Sequence, residues 1–155
     1  MTKIIHCPKC SKTGKACQKY HLYVIELKSS VWKKEKNFRK KNPHLKDDYN
    51  GKCYYVGLTK HRPECRYKQH VAPSARRNNP KCGFMCNCFK NETVKRYFNK
   101  RRSAKYVGDY HKKGGLRPKL YAKGNPITGN VKEAEKAEAV LAQSLREQGF
   151  AVHSA

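Results

Sequence analysis

Two short apolar runs, each with a tyrosine at its centre, set the terms on which this chain can fold. They are His21-Leu22-Tyr23-Val24-Ile25-Glu26-Leu27 and Cys53-Tyr54-Tyr55-Val56-Gly57-Leu58-Thr59. Both are rich in β-branched and aromatic residues and bounded by polar ones, the pattern of a strand. Alternation puts Tyr23, Ile25 and Leu27 on one face of the first run and Leu22 and Val24 on the other. One long amphipathic segment supplies most of the remaining core. It runs from about Lys132 to Gln148, has Ala134, Ala137, Leu141 and Leu145 on one stripe, and stops at Gly149, a usual helix terminator.

Between these elements the chain is basic and weakly patterned. Residues 1–20 are polar and cysteine-rich, and residues 21–155 read as one domain with insertions at 28–52 and 73–115. Trp32 and Phe38 sit among lysines in the first insertion; pinning that insertion to the core is their better reading, ahead of stacking on nucleic acid. Asn50-Gly51 marks a turn into the second strand. Glu64 to His70 and Glu92 to about Lys105 read as helices, and Leu116 to Tyr121 as a third strand.

Lys and Arg number 36 against 11 Asp and Glu, a net charge of +25 on 155 residues. Such a balance opposes compaction unless polyanions neutralise it, so the expected partner is nucleic acid, DNA ahead of RNA. The expected contacts are Lys33, Lys34, Lys36, Arg39 and Lys40, with Lys95, Arg96, Arg101 and Arg102. No run approaches the ~18 apolar residues of a membrane span. The N-terminus lacks the apolar core of a signal peptide, so the expected location is cytoplasmic, or nuclear in a eukaryote.

The segment Glu64 to His70 places Arg66 and His70 at i,i+4 on one helix face. A phenol, a guanidinium and an imidazole suit phosphodiester cleavage, and a carboxylate elsewhere would hold a metal. In this order the motifs resemble the GIY-YIG endonuclease superfamily. Tyr23 falls on the tyrosine of its first strand, Tyr55-Val56-Gly57 on its Tyr-x-Gly motif, Arg66 on its helical arginine and His70 on its histidine. Within Glu133-Ala134-Glu135-Lys136-Ala137-Glu138, Glu138 best matches the metal-binding glutamate. The sequence departs from the family pattern in three places. No glycine precedes Tyr23, a basic insertion separates the two tyrosine motifs, and no asparagine follows Glu138.

The resemblance implies an α+β domain, a small central antiparallel sheet flanked by helices, and metal-dependent cleavage of a nucleic-acid backbone. It implies that Tyr23 acts as general base or positions the water, with His70 able to take the phenol's proton. Tyr55 would position water or phosphate, Arg66 would hold phosphate oxygens, and Glu138 would bind Mg²⁺ or Mn²⁺. Taken singly, each residue has an ordinary reading: half-buried strand tyrosines, a solvated helix face, a surface glutamate. The rival function is a non-catalytic nucleic-acid-binding protein of the same fold, such as a ribonucleoprotein or ribosome-associated subunit.

The cysteines form a second constellation. Cys7-x-x-Cys10 is a half-site for tetrahedral Zn²⁺. Cys82, Cys86 and Cys88 supply the other half, with Cys17, His6 or His21 as substitutes. Structural zinc would tie the N-terminus and a loop to the domain; unligated reduced cysteines are the alternative. Cys53 and Cys65 fall in a strand and a helix and read as buried hydrophobes.

Overall fold

The structure, a computed structural model, describes residues 20–59, Pro63, Arg66, Tyr67, 102–125, Ile127 and 131–154. The two tyrosine runs are strands β1 (His21–Leu27) and β2 (Cys53–Thr59). They pair antiparallel without interruption, from His21↔Thr59 to Leu27↔Cys53. Two further strands, β3 (His111–Leu116) and β4 (Ala151–Ser154), complete a four-stranded sheet of order β3-β1-β2-β4. β3 is antiparallel to β1, and β4 is parallel to β2. The architecture is α+β, with an open mixed sheet where a purely antiparallel one was expected. The parallel edge arises because α5 (Val131–Glu147) returns the chain along β2 before β4 begins.

α5 lies within one residue of its expected bounds at each end. Its terminator works as expected: Gly149 has φ +90°, its N–H donates to Arg146 O (2.9 Å), and Phe150 N–H donates to Leu145 O (3.2 Å). That bond pair is the Schellman closure, which a Cβ at position 149 would strain.

The third strand lies at 111–116, not 116–121. Pro118 opens a short helix, α4 (Pro118–Tyr121), where its missing N–H costs nothing. β3 escapes a hydrophobic reading because Lys112, Lys113 and Gly114 are exposed on this edge strand. It needs Gly115: a Cβ there would lie 2.8 Å from Glu26 O. Of the expected helix Glu92–Lys105, residues 92–101 lie outside the described set. The described helix α3 (Arg102–Tyr110) continues past Lys105 to Tyr110. The stretch 73–115, read as an insertion, thus supplies most of β3.

Polar side chains finish what the short edge strands leave unpaired on β1. Asn125 accepts from Leu22 N (2.7 Å) and donates to Leu22 O (2.7 Å), and Arg117 N donates to Val24 O (2.9 Å). Glu26 is buried on β1 and ion-paired to Lys112 (2.5 Å) and Arg117 (3.1 Å). Burial pushes its carboxyl up, but the bonds and charges of Lys112 and Arg117 outweigh this and leave the pKa below the ordinary value. A depressed folded pKa stabilises the fold at neutral pH, and that contribution is lost as pH falls through the lowered value.

The insertion 28–52 is a folded cap. Trp32 and Phe38, on helices α1 (Ser30–Lys34) and α2 (Lys36–Lys40), are buried, the expected core-pinning role. Trp32 Nε1 donates to Asp47 O (2.9 Å), and Trp32 packs edge-on to Phe38 and Tyr49. Asn42, fully buried, locks this cap to β4. Its amide donates to Phe38 O (2.9 Å), and its oxygen accepts from Val152 N (2.8 Å) and Arg146 Nε (3.4 Å). Asn42→Ala leaves the Val152 N–H buried without that acceptor. Its expected cost is about 2–4 kcal/mol, read as a lower urea midpoint with an unchanged m-value.

Candidate active site

Antiparallel register decides which side chains share a face. Tyr23 lies opposite Gly57 and Ile25 opposite Tyr55, and His153 on β4 pairs with Tyr55. One face therefore carries Tyr23, Tyr55 and His153 across three strands, with His21 opposite Thr59 at its end. Glycine at position 57 has a geometric reason. A Cβ there would lie 2.4 Å from the Tyr23 hydroxyl oxygen and 2.5 Å from its Cζ. The Tyr23 ring thus lies across the Gly57 backbone, the close approach for which glycine is suited. The Tyr23 and Tyr55 ring centroids are 6.2 Å apart.

Arg66 and Glu138, from elements far away in sequence, both act on this phenol, Arg66 by a hydrogen bond and by charge and Glu138 by charge alone. Arg66 is helical and hydrogen-bonds the Tyr23 side chain. Its neighbour Tyr67 ties this turn to β3, where its hydroxyl donates to Lys112 O (2.9 Å) and accepts from Gly115 N (3.3 Å). Glu138 lies on the buried stripe of α5 with Ala134, Ala142 and Leu145 and is 6% exposed. A carboxylate among alanines and leucines has an electrostatic reason to face a cation or donor.

These groups set the state of Tyr23. It is 1% exposed, and burial pushes its phenol well above the ordinary tyrosine pKa. Tyr55 adds to the rise, Arg66 opposes it by charge and hydrogen bond, and Glu138 adds to it. At neutral pH Tyr23 is therefore a neutral hydrogen-bonding phenol.

Four of the five expected catalytic residues, Tyr23, Tyr55, Arg66 and Glu138, are described, and three of them act on Tyr23. His70 lies outside the described residues. So do Cys7, Cys10, Cys17, Cys82, Cys86 and Cys88 of the zinc expectation, and Lys95, Arg96 and Arg101 of the basic set. Arg102 lies in α3, and its side chain is not described. Cys53 is a free, buried thiol raised to about 12 by burial, with Glu26 adding and Lys112 opposing, as an inert hydrophobe should be. Among the described residues no three His, Cys, Asp or Glu side chains cluster to hold a metal, and no helix is long and apolar enough to cross a membrane.

Of the expected basic contacts on α1 and α2, Lys33, Lys36, Arg39 and Lys40 line a groove of about 710 Å³ with Trp32 and Asp47, and Lys34 does not. Lys33, Lys34, Lys36 and Lys40 are exposed. Arg39 is half-buried, and its Nη1 donates to Trp32 O (2.6 Å) and Lys33 O (2.9 Å), closing the end of α1.

His153 is the residue on this face that the sequence reading passed over. Its signal was the Phe150-Ala151-Val152 run after the Gly149 helix stop, which reads as a short strand. No protein-family model, curated protein or solved structure matches the chain. The GIY-YIG resemblance therefore rests on the residues and their order in the sequence.

The Tyr23–Gly57 contact is directly testable. Gly57→Ala should cost about 1–3 kcal/mol through overpacking. In a Tyr23→Ala background most of that cost should vanish, because the ring it strikes is gone. A penalty of equal size in both backgrounds would show that the ring contact is not its source.

Proposed function

We propose that this chain is a metal-dependent endonuclease of GIY-YIG type, hydrolysing phosphodiester bonds of nucleic acid. The observation that supports this reading is that Tyr55 lies beside Tyr23, Arg66 hydrogen-bonds it and the charge of Glu138 acts on it, side chains from four separate parts of the sequence. Hydrolysis adds a water oxygen to phosphorus and returns a proton to the departing sugar oxygen. Arg66 would grip phosphate oxygens with its planar fork. Tyr23, neutral, and Tyr55 would hold the attacking water or the phosphate by hydrogen bonds.

The donor set fits a hard cation. Mg²⁺ is usually held by one or two carboxylates, with water and phosphate oxygens completing its shell. Glu138 provides one such carboxylate without a dedicated cage. Bound there, the cation would neutralise charge developing on the phosphate. The cysteine clusters remain our proposal for a structural zinc.

The substrate's nucleic-acid character is supported by the +25 charge and the groove of Lys33, Lys36 and Lys40. A second reading has its own observation. Tyr23 and Tyr55 are 1% and 2% exposed, which suits a binding protein that keeps the fold without cleavage.

The two readings separate in one assay. With Mg²⁺ the protein should cut DNA or RNA, and a chelator should stop it. Glu138→Gln should lower the rate by roughly 100-fold, as loss of one charge-stabilising group does. Binding in chelator should be unchanged. Full activity in Glu138→Gln would end the metal assignment, and tight binding with no cutting by the wild type would replace the nuclease by the binding protein. Salt reports on the groove independently. The log–log slope of duplex affinity should be about −0.9 per phosphate neutralised. Replacing Lys33, Lys36 and Lys40 by Ala should flatten it without altering sequence preference; an unchanged slope would place the phosphate contacts elsewhere.

A further inference from the structure

His153 breaks a rule of protein interiors at the place where β4 meets the candidate site. It is 8% exposed, yet its Nδ1 has no hydrogen-bond partner among the described residues. An unpaired buried polar atom is destabilising, whereas a phenylalanine ring of similar shape carries no such atom. The surroundings are aromatic. The imidazole stacks on Tyr55 (centroids 6.0 Å apart, planes 20° apart) and on Phe38 (6.3 Å, 25°). Tyr106 of α3 meets it edge-on at 5.2 Å. Burial, with the charges of Lys41 and Arg146 adding, lowers its pKa to about 4, so the ring is neutral at neutral pH. Tyr55, the ring it stacks on, also lies beside Tyr23.

We propose that His153 is a positioning residue for the candidate site, its imidazole fixing the plane of the Tyr55 ring through stacking. Its consequence for cleavage rests on the nuclease reading; the geometric role does not. The stack also links the α1–α2 cap to the site. Phe38 faces inward onto His153 from the same short helix whose Lys36 and Lys40 line the basic groove.

The test uses the full chain with ring-labelled tyrosine, the Tyr55 signal being assigned by its loss in Tyr55→Phe. His153→Phe keeps the ring and removes the unpaired nitrogen. It should leave the Tyr55 signal in place, keep kcat within about twofold and hold or raise the melting temperature. His153→Ala removes the ring. It should shift or broaden the Tyr55 signal and lower kcat about tenfold or more at unchanged KM, as misplacement of a reacting group does. Where His153→Ala does not fold, His153→Gln, polar but without a ring, takes its place with the same expectation. An unmoved Tyr55 signal in a folded ringless variant would overturn the proposal. So would a His153→Phe that loses kcat as severely as the ringless variants, since that would place the role in the nitrogen. Should the wild type not cleave at all, the nuclease reading falls, while the Tyr55 signal still decides the positioning role.

Discussion

Tyr23 lies across Gly57, and this contact between two neighbouring strands governs much of what the protein is. Side chains alternate along a strand with a period of two, so a slip of one residue would turn Tyr23 and Tyr55 to opposite faces. The ring fits over the only position in β2 that has no Cβ, so the register that buries both tyrosines is also the one free of collision. Arg66 hydrogen-bonds the phenol so placed, and the charge of Glu138 acts on it. The pairing that builds the core of the sheet is thus the pairing that gathers the polar groups.

Around that pairing, polar side chains close edges of the sheet. Asn125 substitutes for a missing neighbour of β1, and Asn42 joins the cap to β4. Only 11 carboxylates face 36 basic groups. One of them, Glu26, is buried and shared by two cations, Lys112 and Arg117. The lysines of α1 and α2 are consequently left facing solvent, where like charges repel and a polyanion would relieve them.

Much of the fold was legible, for identifiable reasons. β1, β2 and α5 are long or strongly patterned enough for periodicity to reveal them, and Gly149 announces its own turn. β3 was displaced because a basic, glycine-rich edge strand carries no hydrophobic alternation; its stability comes from Lys112 meeting Glu26 and from Tyr67 binding its backbone. β4 has four residues, too few for a period to show. At the site, Tyr23, Tyr55, Arg66 and Glu138 were legible as residue types in a certain order. The burial of Tyr23, which keeps its phenol neutral, was not.

By itself the sequence determined local matters: which segments alternate as strands, where α5 stops, that Trp32 and Phe38 belong to the interior, and how basic the chain is. These follow from side-chain type and spacing along the chain. Tertiary structure alone decided that β4 runs parallel to β2, that His153 stacks on Tyr55, and that Glu138 and Arg66 act on one phenol. Each of those depends on how separated segments dock. Burial and the electrostatics it creates belong to the packed assembly and have no counterpart in the linear pattern.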